Sequence, residues 1–184
     1  GGGYAEYAVL HQDHLLFQPD SLSDAAAAAT AEVFLTAFQA MMQIGGLTPE
    51  GAVLLHAGAS GVGTAGIQLA KQVGAMVAVT VGTDAKAQDC YALGADICIN
   101  YKTQDFVSEL QQFRPQGFDV IVACTGADTH VISPELYHHL LQGDNARKVV
   151  IDIALPQDLH PQIVIDHPVT HISVDVLQKI KLIP

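Results

Sequence analysis

His56-Ala57-Gly58-Ala59-Ser60-Gly61-Val62-Gly63-Thr64-Ala65-Gly66 is the stretch that decides the fold. It follows Ala52–His56, a short and nearly all-apolar run without alternation, the pattern of a strand covered on both faces. It opens a helix over Gly61–Val73, whose apolar positions Val62, Ala65, Ile67, Leu69 and Ala70 mostly face inward. A diphosphate docks at such a helix start because unpaired amides and the helix dipole both favour negative charge there. Glycines let the backbone turn sharply and keep side chains out of the anion's way. Against the spacing G-x-G-x-x-G, Gly58 and Gly63 match, while Ser60 holds the middle position with Gly61 beside it. The competing reading is a glycine-rich turn that only lets strand and helix pack closely.

Outward from this turn the pattern repeats. Strands are expected over Met76–Val81, Ile97–Asn100, 120–124, 149–154 and 170–174, with helices over 84–93, 104–113 and 133–142. Six strands with intervening helices or loops imply an α/β, doubly wound (Rossmann), mostly parallel sheet in the order 3-2-1-4-5-6. Upstream, residues 4–17 read as extended and close at Pro19. Ser21-Leu22-Ser23-Asp24 supplies cap candidates for the alanine run 25–29. A second helix over 33–44 places Phe34, Ala37, Phe38, Met41 and Met42 on one stripe and stops at Gly45-Gly46. Residues 1–50 are thus expected to form a helical leader and 51–184 the dinucleotide-binding domain.

The 184 residues are 49% hydrophobic and 15% charged, which excludes a disordered tail or a coiled coil. The net charge is −11, and none of the eight basic residues precedes Lys71. A nucleic-acid partner is therefore excluded, since it needs a basic stripe. No uninterrupted apolar run reaches the ~18–20 residues that span a bilayer, and the first residues, Gly-Gly-Gly-Tyr-Ala-Glu-Tyr, lack the charged and apolar regions of a signal peptide. No membrane partner is expected. Cys90, Cys98 and Cys124 lack CxxC pairing and read as reduced core thiols, so the protein is expected in the cytoplasm. Among nine histidines, His138 and His139 point to different sides of a helix, and His160, His167 and His171 lack a zinc pattern. No metal site is assigned. Ser60 misses the GxSxG nucleophile spacing because residue 62 is valine, and no catalytic residue is assigned.

The end of the second strand reads Val79-Thr80-Val81-Gly82-Thr83-Asp84-Ala85-Lys86. Sites for NAD(H) usually place an acidic residue here on the ribose 2′-hydroxyl. Gly82 instead leaves room for a 2′-phosphate, which Thr83 and Lys86 can bind, so NADP(H) is favoured over NAD(H). Asp84 argues the other way, because a small shift of the strand tip would bring its carboxylate to the ribose.

Residues 1 to about 126 resemble the zinc-free quinone oxidoreductase branch of the medium-chain dehydrogenase/reductase superfamily. The resemblance runs through Gly3-Tyr4-Ala5-Glu6-Tyr7, Leu35-Thr36-Ala37-Phe38-Gln39, the glycine turn, Gln68-Leu69-Ala70, Leu93-Gly94-Ala95-Asp96 and Ile99-Asn100-Tyr101-Lys102. It implies NADPH as cofactor, with Thr36 beside the nicotinamide, Ser60, Gly61 and Val62 at the pyrophosphate, and Lys86 and Tyr101 at the 2′-phosphate. Family members begin with a catalytic domain resembling GroES, and this chain is expected to open at that domain's last strand. They commonly pair through a sheet edge, so a homodimer is in keeping with the resemblance.

Residues 119–184 are similar instead to the NADPH-binding domain of glutamyl-tRNA reductase, through Val149-Val150-Ile151-Asp152-Ile153-Ala154-Leu155-Pro156-Gln157-Asp158 and Val174-Asp175-Val176-Leu177. Gln157 and Val176 depart from that family's pattern. A junction of two families near 119–126 is expected, in a recombined or engineered chimera, with a divergent natural oxidoreductase as the alternative. Cofactor binding needs the crevice between the first and fourth strands. Cys124, Thr125 and Gly126 are expected near its nicotinamide side, bordered by Ile153. Three functions compete: an NADP(H)-binding module without turnover, an NADPH-dependent reductase of quinones or carbonyls, and a folded scaffold without cofactor.

Overall fold

In β1 (Ala52–His56) every residue is buried, and alternate side chains feed two separate cores. Val53 and Leu55 join one core; Ala52 and Leu54 join the other. That division, repeated strand by strand, is what a sheet covered on both faces requires. The computed structural model describes residues 3–141 and 148–179. Residue 142, the last of the helix expected over 133–142, and residues 143–147 and 180–184 of the expected dinucleotide-binding domain lie outside the described residues.

β1 pairs in parallel with β2 (Met76–Val81) on one side and β4 (Val120–Ala123) on the other. β3 (Ile97–Asn100) extends the sheet beyond β2, and β5 (Lys148–Asp152) and β6 (Val169–Ser173) beyond β4. The order is β3-β2-β1-β4-β5-β6 with every pair parallel, the Rossmann-like order that the sequence predicts.

α2 (Gly61–Val73) and α3 (Asp84–Ala92) cover the face carrying Val53, Val79 and Val122. α4 (Phe106–Phe113), α5 (Pro134–Leu141) and α6 (Pro161–Asp166) cover the face carrying Leu54, Ile121 and Val150. Each fully buried aliphatic side chain contributes about 1.5–3 kcal/mol. α2 ends where Gly74 takes φ of 89°, its amide returning to the carbonyls of Ala70 and Lys71. α7 (Val174–Lys179) follows β6 directly.

Upstream the structure departs from the sequence reading. One helix, α1 (Asp24–Phe38), replaces the two expected, continuing as a wider π turn over Gln39–Ile44. Alanine is the best helix former, and no glycine or proline lies between the alanines and the aromatic stripe, so nothing between them stops the helix. Residues 4–17 form no strand; a 3₁₀ turn covers Gln12–His14. By contacts the chain divides into residues 1–32 and 33–184. The first unit leaves Tyr4, Tyr7, Leu15 and Phe17 exposed. In the second, Ala37, Ala40 and Met41 belong to the core, so residues 33–50 pack with the sheet. The run Asp24–Ile44 is long and apolar enough to cross a membrane by length and composition, an 18-residue window of it having a mean hydropathy of 1.3, although Glu32 and Gln39 interrupt it.

Candidate functional site

A cavity of about 580 Å³ opens at the carboxyl ends of the strands in the second unit. It collects residues from the turn after β1, the tips of β2 and β3, the start of α4, and the loop after β4. Seven of the expected cofactor residues line it: Ser60, Gly82, Thr83, Lys86, Tyr101, Thr125 and Gly126.

The β1–α2 turn is held by close packing. A Cβ on Gly58 would lie 2.5 Å from Val79 Cβ, and one on Gly63 2.5 Å from the carbonyl oxygens of Ala57 and Gly58. Neither contact is tolerable, so these glycines are needed for strand and helix to approach. The left-handed residue of the turn is not a glycine but Ala57, at φ of 58°. Ser60 caps α2, its Oγ accepting from the Gly63 amide at 3.1 Å. The cap takes the third amide of the first turn and leaves those of Gly61 and Val62 as the helix's outward donors. Ser60 is thus the cap of α2.

Across the cavity, Thr83 caps α3 by accepting from the Lys86 amide at 3.3 Å, which leaves its own hydroxyl proton to donate elsewhere. A Cβ on Gly82 would lie 3.0 Å from Tyr101 Oη and 3.6 Å from Lys102 Cε, so both side chains lean over the glycine. Lys86 and Lys102 both line the cavity, and among the described residues neither ammonium makes an ion pair. Thr83, Lys86 and Lys102 therefore form a cationic, hydroxyl-bearing end, with Ser60 and the α2 start at the other.

His56, Phe106 and Val131 also line the cavity. The His56 ring packs edge-on against Phe106 at 5.9 Å, and its Nδ1 lies 2.9 Å from Thr80 Oγ1. Burial pushes the imidazole down to about 4, so it is neutral near pH 7.

Gly58, Gly61, Val62 and Gly63 belong to the turn or helix start but do not line the cavity. Thr36, on α1, Cys124, directly after β4, and Ile153, directly after β5, are not among its lining residues either. Cys124 is half-buried, and burial, with the neighbouring carboxylates of Asp158 and Asp152, pushes its thiol up. The sequence reading assigned no site role to Lys102, His56, Thr80, Phe106, Ala127 or Val131. For Lys102 a signal existed, since it follows Tyr101 in a quoted motif. Among the described residues no group of three or more His, Cys, Asp or Glu is placed to hold a metal.

Residues 61–138 match the family model described as zinc-binding dehydrogenase. The trans-enoyl reductase pgmF of Aspergillus terreus is 34% identical over 128 residues, which are 70% of this chain and 35% of that protein. The chain spans about a third or less of the length of the curated relatives it matches. Among solved structures, an NAD-dependent alcohol dehydrogenase is similar at a TM-score of 0.74 and 31% identity, over 94% of this chain and 50% of that one. The quinone oxidoreductase of Escherichia coli, solved with NADPH, shares the fold at a TM-score of 0.72 and 24% identity, over 89% of this chain and 50% of that one. The family match runs unbroken through 119–126 to residue 138, and the first structural likeness extends over nearly the whole chain. One dehydrogenase-type template thus accounts for the region where a second family was expected, and these likenesses give a glutamyl-tRNA reductase segment or a junction no support. By sequence over residues 61–138, and by fold over about nine-tenths of its length, the chain is similar to dehydrogenases and reductases of this type.

Proposed function

We propose that this chain is the NADP(H)-binding part of an oxidoreductase of the medium-chain dehydrogenase/reductase type, acting on a quinone or an enoyl compound. The observation that carries the reading is the convergence on one cavity of Ser60, at the start of α2, with Thr83, Lys86 and Lys102 at its far end. A helix start suits a diphosphate, and two unpaired ammonium groups beside a hydroxyl suit a second phosphate. Gly58 and Gly63 let strand and helix pack closely, and that packing sets the start of α2 beside the cavity. The nucleotide, when bound, would supply hydride from its nicotinamide. This chain's own groups bind and orient it: Gly61 and Val62 donate amides, Thr83 its hydroxyl, and Lys86 and Lys102 their charge. The family model's zinc finds no ligand set among the described residues, and no step is assigned to a metal.

Titrations with NADPH and NADH, followed by nicotinamide fluorescence, test this reading. NADPH is expected to bind more tightly, and the pair Lys86→Ala with Lys102→Ala to weaken NADPH by about tenfold or more while leaving NADH nearly unchanged. Binding of neither nucleotide would sink the proposal. NADPH oxidation by a small quinone, compared with Gly63→Val, reads in the same samples whether this chain turns over an acceptor.

A further inference from the structure

The dinucleotide reading leaves open what makes the site choose between a ribose hydroxyl and a ribose phosphate, and the inference here rests on that reading. Asp84 begins α3, directly beyond the tip of β2. A carboxylate at such a place accepts a ribose 2′-hydroxyl and repels a 2′-phosphate. Yet Asp84 is not on the cavity wall, whereas Lys86, two residues on, and Lys102, just past β3, both are.

Asn100 accounts for the difference. It is the last residue of β3 and only 5% exposed. Its Nδ2 donates to Asp84 Oδ1 at 2.7 Å, a short bond of the charge-assisted kind. Its Oδ1 accepts from the Lys102 amide at 3.2 Å. Its own amide donates to Gln104 Oε1 at 2.9 Å, and its carbonyl accepts from the amides of Thr103 and Gln104. One buried carboxamide therefore holds the acidic side chain with its donor end and the backbone of the basic residue with its acceptor end. Aspartate would repel Asp84, and alanine would hold neither.

We infer that Asn100 is a positioning residue for nucleotide choice: it keeps the Asp84 carboxylate off the cavity and fixes the turn that presents Lys102. The site then takes a nucleotide whose adenosine ribose carries a phosphate in preference to one with a free hydroxyl there.

The test titrates 2′,5′-ADP and 5′-AMP into the wild-type chain, Asn100→Asp, Asn100→Ala, Asp84→Asn, and Asp84→Asn combined with Asn100→Ala. Wild type is expected to prefer 2′,5′-ADP. That preference should fall about tenfold in both Asn100 variants, the scale of one like-charge contact near the surface. Asp84→Asn alone should leave the preference unchanged, and added to Asn100→Ala it should restore most of what was lost. A merely structural Asn100 would weaken both nucleotides equally with their ratio intact, and that result overturns the inference. So does a tenfold rise in preference on Asp84→Asn alone, which reads out even if the Asn100 variants fail to fold. Wild-type binding of neither nucleotide overturns the dinucleotide reading itself, whereas binding with ratios unmoved by substitution overturns only the role of Asn100.

Discussion

Asp158, on the loop after β5, accepts from both the amide and the hydroxyl of Thr125, on the loop after β4, at 3.0 and 2.6 Å. Thr125 lines the cavity and Asp158 does not, so the buried carboxylate acts through the residue it grips. Burial pushes the Asp158 carboxyl up, and the two bonds from Thr125 pull it back. Asp158→Ala would leave two donors without their acceptor. The expected cost is roughly 2–4 kcal/mol of unfolding free energy in urea, with a smaller loss for Asp158→Asn, which keeps one acceptor oxygen. Nucleotide affinity, titrated in parallel, should fall in the same order.

The buried histidine makes stability depend on pH in a definite direction. Burial holds the folded His56 at about 4, against 6.5 for a free imidazole. Between those values the unfolded chain binds a proton that the folded one refuses, so stability rises with pH across the window. It is complete above pH 6.5 and is lost as the pH falls towards 4, by at most roughly 3 kcal/mol. Urea unfolding from pH 4 to 7 measures the slope. In His56→Asn, which cannot titrate, the slope should shrink by that amount; an unchanged slope would show that His56 is not its source.

The strands were legible because burial on both faces leaves an unbroken apolar run. Ala52–His56, Met76–Val81 and Ile97–Asn100 have the bounds read from sequence. α6 was not legible: its cap is His160, accepting from the Gln162 amide at 3.2 Å, rather than one of the short polar residues that usually mark a helix start. The glycine turn was legible as a motif, but its left-handed residue is Ala57, which no glycine count reveals. Lys102 joins the site through a turn tied to Asn100, and Asn100 is tied to Asp84 sixteen positions back. His56 and Phe106 meet only when β1 and α4 pack. Local pattern carries the first kind of information and tertiary contact the second.

Gly58 and Val79 form a pair whose sizes are matched. A methyl group at 58 would sit 2.5 Å from Val79 Cβ and 2.9 Å from its Cγ1. Gly58→Ala is therefore expected to destabilise by about 2–3 kcal/mol, the cost of overpacking a core. Val79→Ala alone leaves a small cavity and costs about 1–2 kcal/mol. In the double variant the contacts to the branch methyls are gone but the 2.5 Å contact to the Cβ of residue 79 remains, so the loss should be less than the sum of the two singles by only about 0.5 kcal/mol. Urea midpoints of the four proteins close the cycle, and strict additivity would show that the turn relieves the clash elsewhere.

Ala57 supplies the last prediction, because two opposed effects meet in one residue. At φ of 58° its Cβ is strained by about 1 kcal/mol. Ala57→Gly removes that strain but gives the unfolded chain more freedom, worth about 0.4–1 kcal/mol the other way. The two nearly cancel, so this substitution should move stability by less than about 0.5 kcal/mol. Ala57→Val has no such offset: a β-branched side chain resists the left-handed region more strongly, and stability should drop by about 2 kcal/mol or more. Thermal or urea unfolding of the pair distinguishes the cases. If valine proves as harmless as glycine, the turn does not hold residue 57 left-handed in solution, and the register of the amides beyond Ser60 would have to be redrawn.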